Sequence, residues 1–87
     1  MKLFMISQNE TRGYDTYSVA VVCADSEEEA ASIHPDGDLY SDETSPYNSW
    51  KSGRSWARTP NSVKVEYIGE AAEHLSRGVI CASFHAG

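Results

Sequence analysis

Three histidines (His34, His74, His85) and two cysteines (Cys23, Cys81) are the side chains here that could bind a transition metal. Their spacing does not favour it. No C-x-x-C or H-x-x-x-H pair occurs. Cys81 and His85 fall on one face of a predicted strand, but four strand residues separate them by roughly 13 Å. A zinc ion holds its ligands at about 2.0–2.3 Å, so the two would need a bend to share one. The expectation is no metal and no cofactor. The two thiols read most simply as free and buried. Serine, histidine and aspartate are all present, yet no G-x-S-x-G elbow places a nucleophile. Nothing positions a Cys–His pair either. G-x-G-x-x-G and P-loop patterns are missing. The sequence therefore points to a protein without catalytic activity.

The stretch "SPYNSWKSGRSWARTP", Ser45 to Pro60, holds both tryptophans of the chain. Trp50, Lys51, Arg54, Trp56 and Arg58 interleave aromatic and basic groups. Tryptophan and arginine are the types most enriched at binding hot spots. They also suit stacking on single-stranded bases. The competing reading folds both indoles back over the sheet as cover, while the basic groups reach out to water. The two are compatible if one Trp anchors the segment and the other is presented.

The acids form a second candidate. Glu27, Glu28 and Glu29 lie together, with Asp36, Asp38, Asp42 and Glu43 close behind. They read either as a solvated helix start with a polar loop, or as a face that docks on a basic groove. Tyr14, Asp15 and Tyr17 are a third group. They read as a ligand-contacting rim or, more simply, as the start of a strand with amphipathic side chains.

Charge sets the classes of partner. The 87 residues carry a net charge of −6. Met1 to Ser49 contains ten acids and two bases; Trp50 to Gly87 contains three acids and five bases. The halves differ in sign, −8 against +2. Such a balance argues against direct, non-specific binding of nucleic acid. It suits a polarised surface that meets a basic partner. "MKLFMISQ" is too short an apolar run for a signal peptide, and no segment approaches the roughly 20 apolar residues of a membrane span. The expectation is a cytoplasmic protein.

The elements that must position these groups are short. Lys2 to Ser7 is an apolar run of strand length. "NETRGYD" supplies turn chemistry, with Gly13 able to take positive φ. "TYSVAVVCA", Thr16 to Ala24, reads as a strand buried on both faces. In "ADSEEEAASIHPDG", Ser26 and Glu29 match a capping box, and Asp25 is an alternative cap. Three glutamates suit the positive end of the helix dipole. Ala30, Ile33 and His34 would face the sheet, and Pro35 stops a helix of about nine residues. No period is visible over residues 36–62, apart from a short helix or 3₁₀ turn expected around Ser49 to Ala57. In "VKVEYIG", Val63, Val65 and Tyr67 share one face. "EAAEHLSRG" is a helical turn or a connection. "VICASF", Val79 to Phe84, reads as a buried strand with Ile80, Ala82 and Phe84 on one face.

The order β-β-α-(long loop)-β-β predicts one small α+β domain over residues 1–87. It would hold a mostly antiparallel sheet of three to four strands with one main helix. One short helix cannot cover four strands. The loop, or a second subunit in a homodimer, would cover the rest.

At "GYDTYSVAVVCADSEEEAASIHPDG", "VKVEYIGEA" and "GVICASFHAG" the chain resembles a family of small phage and prophage proteins. The resemblance spans most of the chain except the central loop, and brings no site residues with it. It implies a phage-encoded protein acting in a bacterial cytoplasm. Small acidic proteins of that kind are often inhibitors of host defence, anti-CRISPR proteins among them. The resulting expectation is a non-catalytic inhibitor of a host protein, such as a nucleic-acid-binding defence component. Glu27, Glu28, Asp38, Asp42, Trp50, Arg54 and Trp56 would make the contact. The alternative is an oligomeric binder of a nucleotide or metabolite, with Tyr17, Trp50, Arg54 and Arg58 forming the pocket.

Overall fold

The computed structural model describes residues 1–41, 47–52 and 55–85. Strand β1, Lys2–Ser7, is the expected strand, and its burial alternates. Phe4 and Ile6 are buried, and Leu3, Met5 and Ser7 between them are half-buried. Strand β2, Thr16–Ala24, returns antiparallel, with Phe4 opposite Val22 and Ile6 opposite Ala20. The connection is stapled by Gln8. Its Oε1 accepts from the N–H of Glu10 and of Thr11, both at 2.7 Å, and its Nε2 donates to the carbonyls of Thr11 and Tyr17. Gly13 takes φ 105° and Asp15 φ 61° in the same turn. Aspartate tolerates this left-handed region better than most residues.

Strand β3, Lys64–Glu70, pairs with β1, and strand β4, Gly78–His85, pairs with β2. The sheet is antiparallel throughout and runs β3-β1-β2-β4. This is the expected α+β architecture.

Helix α1, Glu27–Ala31, covers part of one sheet face. Ser26 Oγ accepts from Glu29 N–H. Glu29 reaches back to the N–H of Asp25 at 2.9 Å, one residue further than a capping box requires. Ala30, Ile33 and His34 are fully buried, as their spacing predicts. The helix has five residues rather than about nine. Beyond Ala31 the backbone leaves the helical path, and Ile33 bridges to Leu39 in a turn closed by His34 and Asp38. Pro35 comes only after the helix has ended.

The rest of that face is covered from the long segment. Helix α2, Ser49–Ser52, brings in Trp50, and Trp56 and Ala57 follow. A 3₁₀ turn, Pro60–Ser62, leads to β3. The core joins Phe4, Ile6, Ala20, Val22, Ala24, Ala30, Ile33, Trp50, Trp56 and Ala57.

One expectation needs correction, and one open alternative is decided. "VICASF" is not a buried strand: β4 lies at the sheet edge, and Ile80 and Phe84 are 44% and 47% exposed. "EAAEHLSRG" is a connection; its one turn, closed by Leu75 N–H to the Ala72 carbonyl, continues into no helix.

Candidate functional site

Burial of a polar ring marks the centre of the molecule. His34 is 0% exposed. It meets Tyr17, Trp50 and Trp56 at ring-centroid distances of 5.9, 5.6 and 6.4 Å. Its Nδ1 accepts from the N–H of Asp36 at 3.1 Å, and its Nε2 lies 3.3 Å from Ser55 Oγ. Asp36 Oδ1 is also 3.1 Å from Nδ1. Serine, histidine and aspartate thus come together here, which no sequence motif signalled.

The hydrogen bonds run against a catalytic triad. A triad needs Nε2 free to accept from the serine and Nδ1–H donating to the carboxylate. Here the neutral ring's Nδ1 faces a backbone N–H, an arrangement in which Nε2 rather than Nδ1 holds the proton and can donate to Ser55. Three aromatic rings also wall the imidazole off from solvent. Burial holds the His34 pKa below the ordinary histidine value, although the Asp36 and Asp38 carboxylates pull it upward. The cluster is an aromatic plug in the core, and its His34 ring has a hydrogen-bond partner at each nitrogen.

Both tryptophans belong to that plug. Trp50 is 3% exposed and Trp56 0%. Trp50 Nε1–H donates to the Ser32 carbonyl at 3.1 Å, and Tyr40 packs on the same indole. Thr11 Oγ1 binds the Trp56 carbonyl at 3.0 Å. The expectation that one indole is presented to a partner is therefore corrected. A chain with so few large apolar residues uses both to close its core.

Asp38 is likewise turned inward. Its Oδ2 accepts from Ser49 N–H at 2.7 Å, and Asn48 Oδ1 accepts from Trp50 N–H. Asp36 Oδ2 bonds the Ser49 hydroxyl. The Ser49 amide holds the Asp38 carboxyl below the usual carboxylate range. These contacts fix the start of α2 and so aim Trp50 at His34.

Of the proposed pocket of Tyr17, Trp50, Arg54 and Arg58, the described members Tyr17 and Trp50 meet the same buried ring, His34. His34 fills the room between Tyr17 and Trp50, and Phe84 packs edge-on against Tyr17 at 4.7 Å. Arg58 is exposed, with its backbone N–H bound to Glu10 Oε1. That bond and the Ser62 hydroxyl lower the Glu10 pKa. Arg54 and Asp42 lie outside the described residues.

Glu27 and Glu28 remain as surface groups. Both are exposed in the first turn of α1. Their neighbours are engaged: Arg77 binds Glu29 at 2.6 Å and Asp25 at 2.9 Å. Among the described residues, neither the Glu27 nor the Glu28 carboxylate has a hydrogen-bond or ion-pair partner. With Lys2, Phe4 and Tyr67 they rim a depression of about 570 Å³ between α1 and β3. A second depression, about 420 Å³, sits beside the β1–β2 turn. Arg12, Tyr14 and His85 line it, and no acid does. The Tyr14 part of the predicted rim is thus found at a cavity, while Tyr17 points into the aromatic plug. Among the described residues, no three His, Cys, Asp or Glu side chains are grouped to hold a metal ion, and no helix is long and apolar enough to cross a membrane.

Compared with protein-family models, with curated proteins and with solved structures, the chain matches none.

Proposed function

We propose that this chain is a non-catalytic binding protein that docks a basic protein through the start of α1 and thereby blocks it. The observation that carries the reading is the uncompensated pair Glu27 and Glu28. Arg77 neutralises Asp25 and Glu29 on either side of them, and among the described residues no ion pair reaches Glu27 or Glu28. The depression beside them, with Phe4 and the half-exposed Tyr67 in its wall, offers an apolar contact next to the charge. An aromatic anchor rimmed by complementary charge is a common form of protein interface. The phage-type resemblance supplies the class of target: a bacterial defence component whose basic surface serves nucleic acid.

The test starts from affinity capture in a bacterial lysate. Each captured protein is then purified and titrated against wild type and against Glu27→Lys with Glu28→Lys. A basic partner whose affinity falls steeply with salt and collapses with charge reversal supports the reading. Equal affinity for wild type and a folded double variant removes it.

The cavity beside the β1–β2 turn favours a second reading. A small anionic ligand would meet Arg12 there, with Tyr14 and His85 beside it. One compound of a nucleotide and metabolite panel should then raise the melting temperature of wild type and not that of Arg12→Ala.

A further inference from the structure

The two edges of the sheet differ in how they meet water. β3 carries Lys64, Glu66 and Glu70, all exposed. Charges on an outer strand discourage another strand from pairing with it. β4 reads GVICASFH, with no acid, no lysine or arginine and no proline. Ile80 and Phe84 stand half-exposed along it. Its one irregularity is Ile80, the extra residue opposite the Val21–Val22 step. From Cys81 to Ser83 it pairs with β2 residue for residue. Beyond that inner ladder, β4 has no strand on its outer side among the described residues.

We infer that β4 pairs antiparallel with the β4 of a second copy, across a two-fold axis normal to the sheet, so that two four-stranded sheets become one. Charge selects the occupant. Each copy carries −6, so most pairs of surfaces would oppose carboxylates. β2 and β4 are adjacent strands, and neither contains an acid, a lysine or an arginine. This is where two copies can meet without like charges in contact. An identical strand paired antiparallel is self-complementary and closes on itself, so association stops at the dimer. The exposed sheet face continues across the junction. There Met5, Val19, Val21, Cys81 and Ser83 line a shallow apolar depression of about 270 Å³. The ladder is short, so the contact falls below the roughly 1,200–2,000 Å² of a standard interface. Dimerisation is accordingly expected only at high concentration.

The experiment is sedimentation velocity of the wild-type chain up to about 1 mM, paired with hydrogen exchange at the lowest and highest concentrations. The expected result is a rise from monomer to dimer mass, with β4 amides gaining protection and β3 amides unchanged. A chain that stays monomeric throughout, or a dimer whose new protection lies elsewhere, overturns the inference. Ser83→Lys puts an ammonium at the end of the regular stretch, one residue from its centre at Ala82. It should return the protein to monomer with an unchanged circular-dichroism spectrum; a dimer that survives it also overturns the inference. If that variant does not fold, the wild-type exchange pattern still decides. The inference is independent of acidic docking: Glu27→Lys with Glu28→Lys should leave the dimer intact.

Discussion

The imidazole of His34 meets the indole of Trp50 edge to face, with centroids 5.6 Å apart and planes at 87°. This contact joins the turn after α1 to the start of α2, and burial favours the neutral form of the ring that makes it. In the folded chain His34 binds a proton less readily than an ordinary histidine, because burial penalises the charged form. Its folded pKa therefore lies below the unfolded value of about 6.5. Above that value both states are neutral and the stability is fully present. As pH falls through it the unfolded chain takes up more protons than the folded one, and stability declines down to the folded pKa. Denaturant melts at pH 7.5, 6.5 and 5.5 (values set around that pKa, about one unit apart) should show this decline. It should be reduced in His34→Gln, whose amide still offers a donor and an acceptor.

The two indoles differ in one bond. Trp50 Nε1–H reaches the Ser32 carbonyl, whereas Trp56 Nε1 is buried and finds no acceptor among the described residues. Truncation to alanine should cost about 3–5 kcal/mol at either position, through lost burial and the cavity left behind. Replacement by phenylalanine should separate them. Trp50→Phe removes one of the two hydrogen bonds to the Ser32 carbonyl, which keeps the Tyr40 N–H, and should cost up to about 1 kcal/mol more than Trp56→Phe, which removes an N–H that was unsatisfied. Equal losses in urea titrations would contradict the assigned contacts.

The acids divide by what their oxygens already hold. Asp38 Oδ2 and Asn48 Oδ1 receive the Ser49 and Trp50 amides. Asp38→Ala and Asn48→Ala should therefore each lower stability, by about 1 kcal/mol in the range of lost helix caps. Trp50 fluorescence should shift as α2 loosens. Glu27→Lys with Glu28→Lys removes favourable dipole charges from a short helix but breaks no hydrogen bond of the described residues. It should change the melting temperature less than either capping variant. A larger loss from the glutamate pair would mean that those carboxylates are structural.

Local signals were legible in the sequence where a residue's environment follows from its near neighbours. The apolar run Lys2 to Ser7 marked β1, and Ser26 with Glu29 marked the start of α1. The spacing of Ala30, Ile33 and His34 predicted the buried side of that turn. What escaped was set by chain crossings. β4 looked buried because Val79 to Phe84 is apolar, but strand order puts it at the edge, and order is decided by pairings distant in sequence. The indoles of Trp50 and Trp56 looked equally suited to contact or cover. Their burial follows from His34, whose ring sits between Tyr17 and Trp50. The meeting of Ser55, His34 and Asp36 was invisible for the same reason.

The two thiols give a direct report on that strand order. Cys23 is fully buried in β2, with its Sγ 3.9 Å from Met1 Sδ, whereas Cys81 is exposed on β4. Both were expected to be buried; the edge position of β4 is what separates them. A thiol reacts through its accessible thiolate. In the native protein an alkylating reagent should therefore modify Cys81 promptly. Cys23 should react only as β2 is uncovered, at a rate that follows local or global opening. Mass spectrometry should find one adduct on peptides containing Cys81 before any appears on Cys23. Urea near the unfolding midpoint should bring the two rates together. If Cys23 reacts as fast as Cys81 in native buffer, the sheet order β3-β1-β2-β4 is not the one populated in solution.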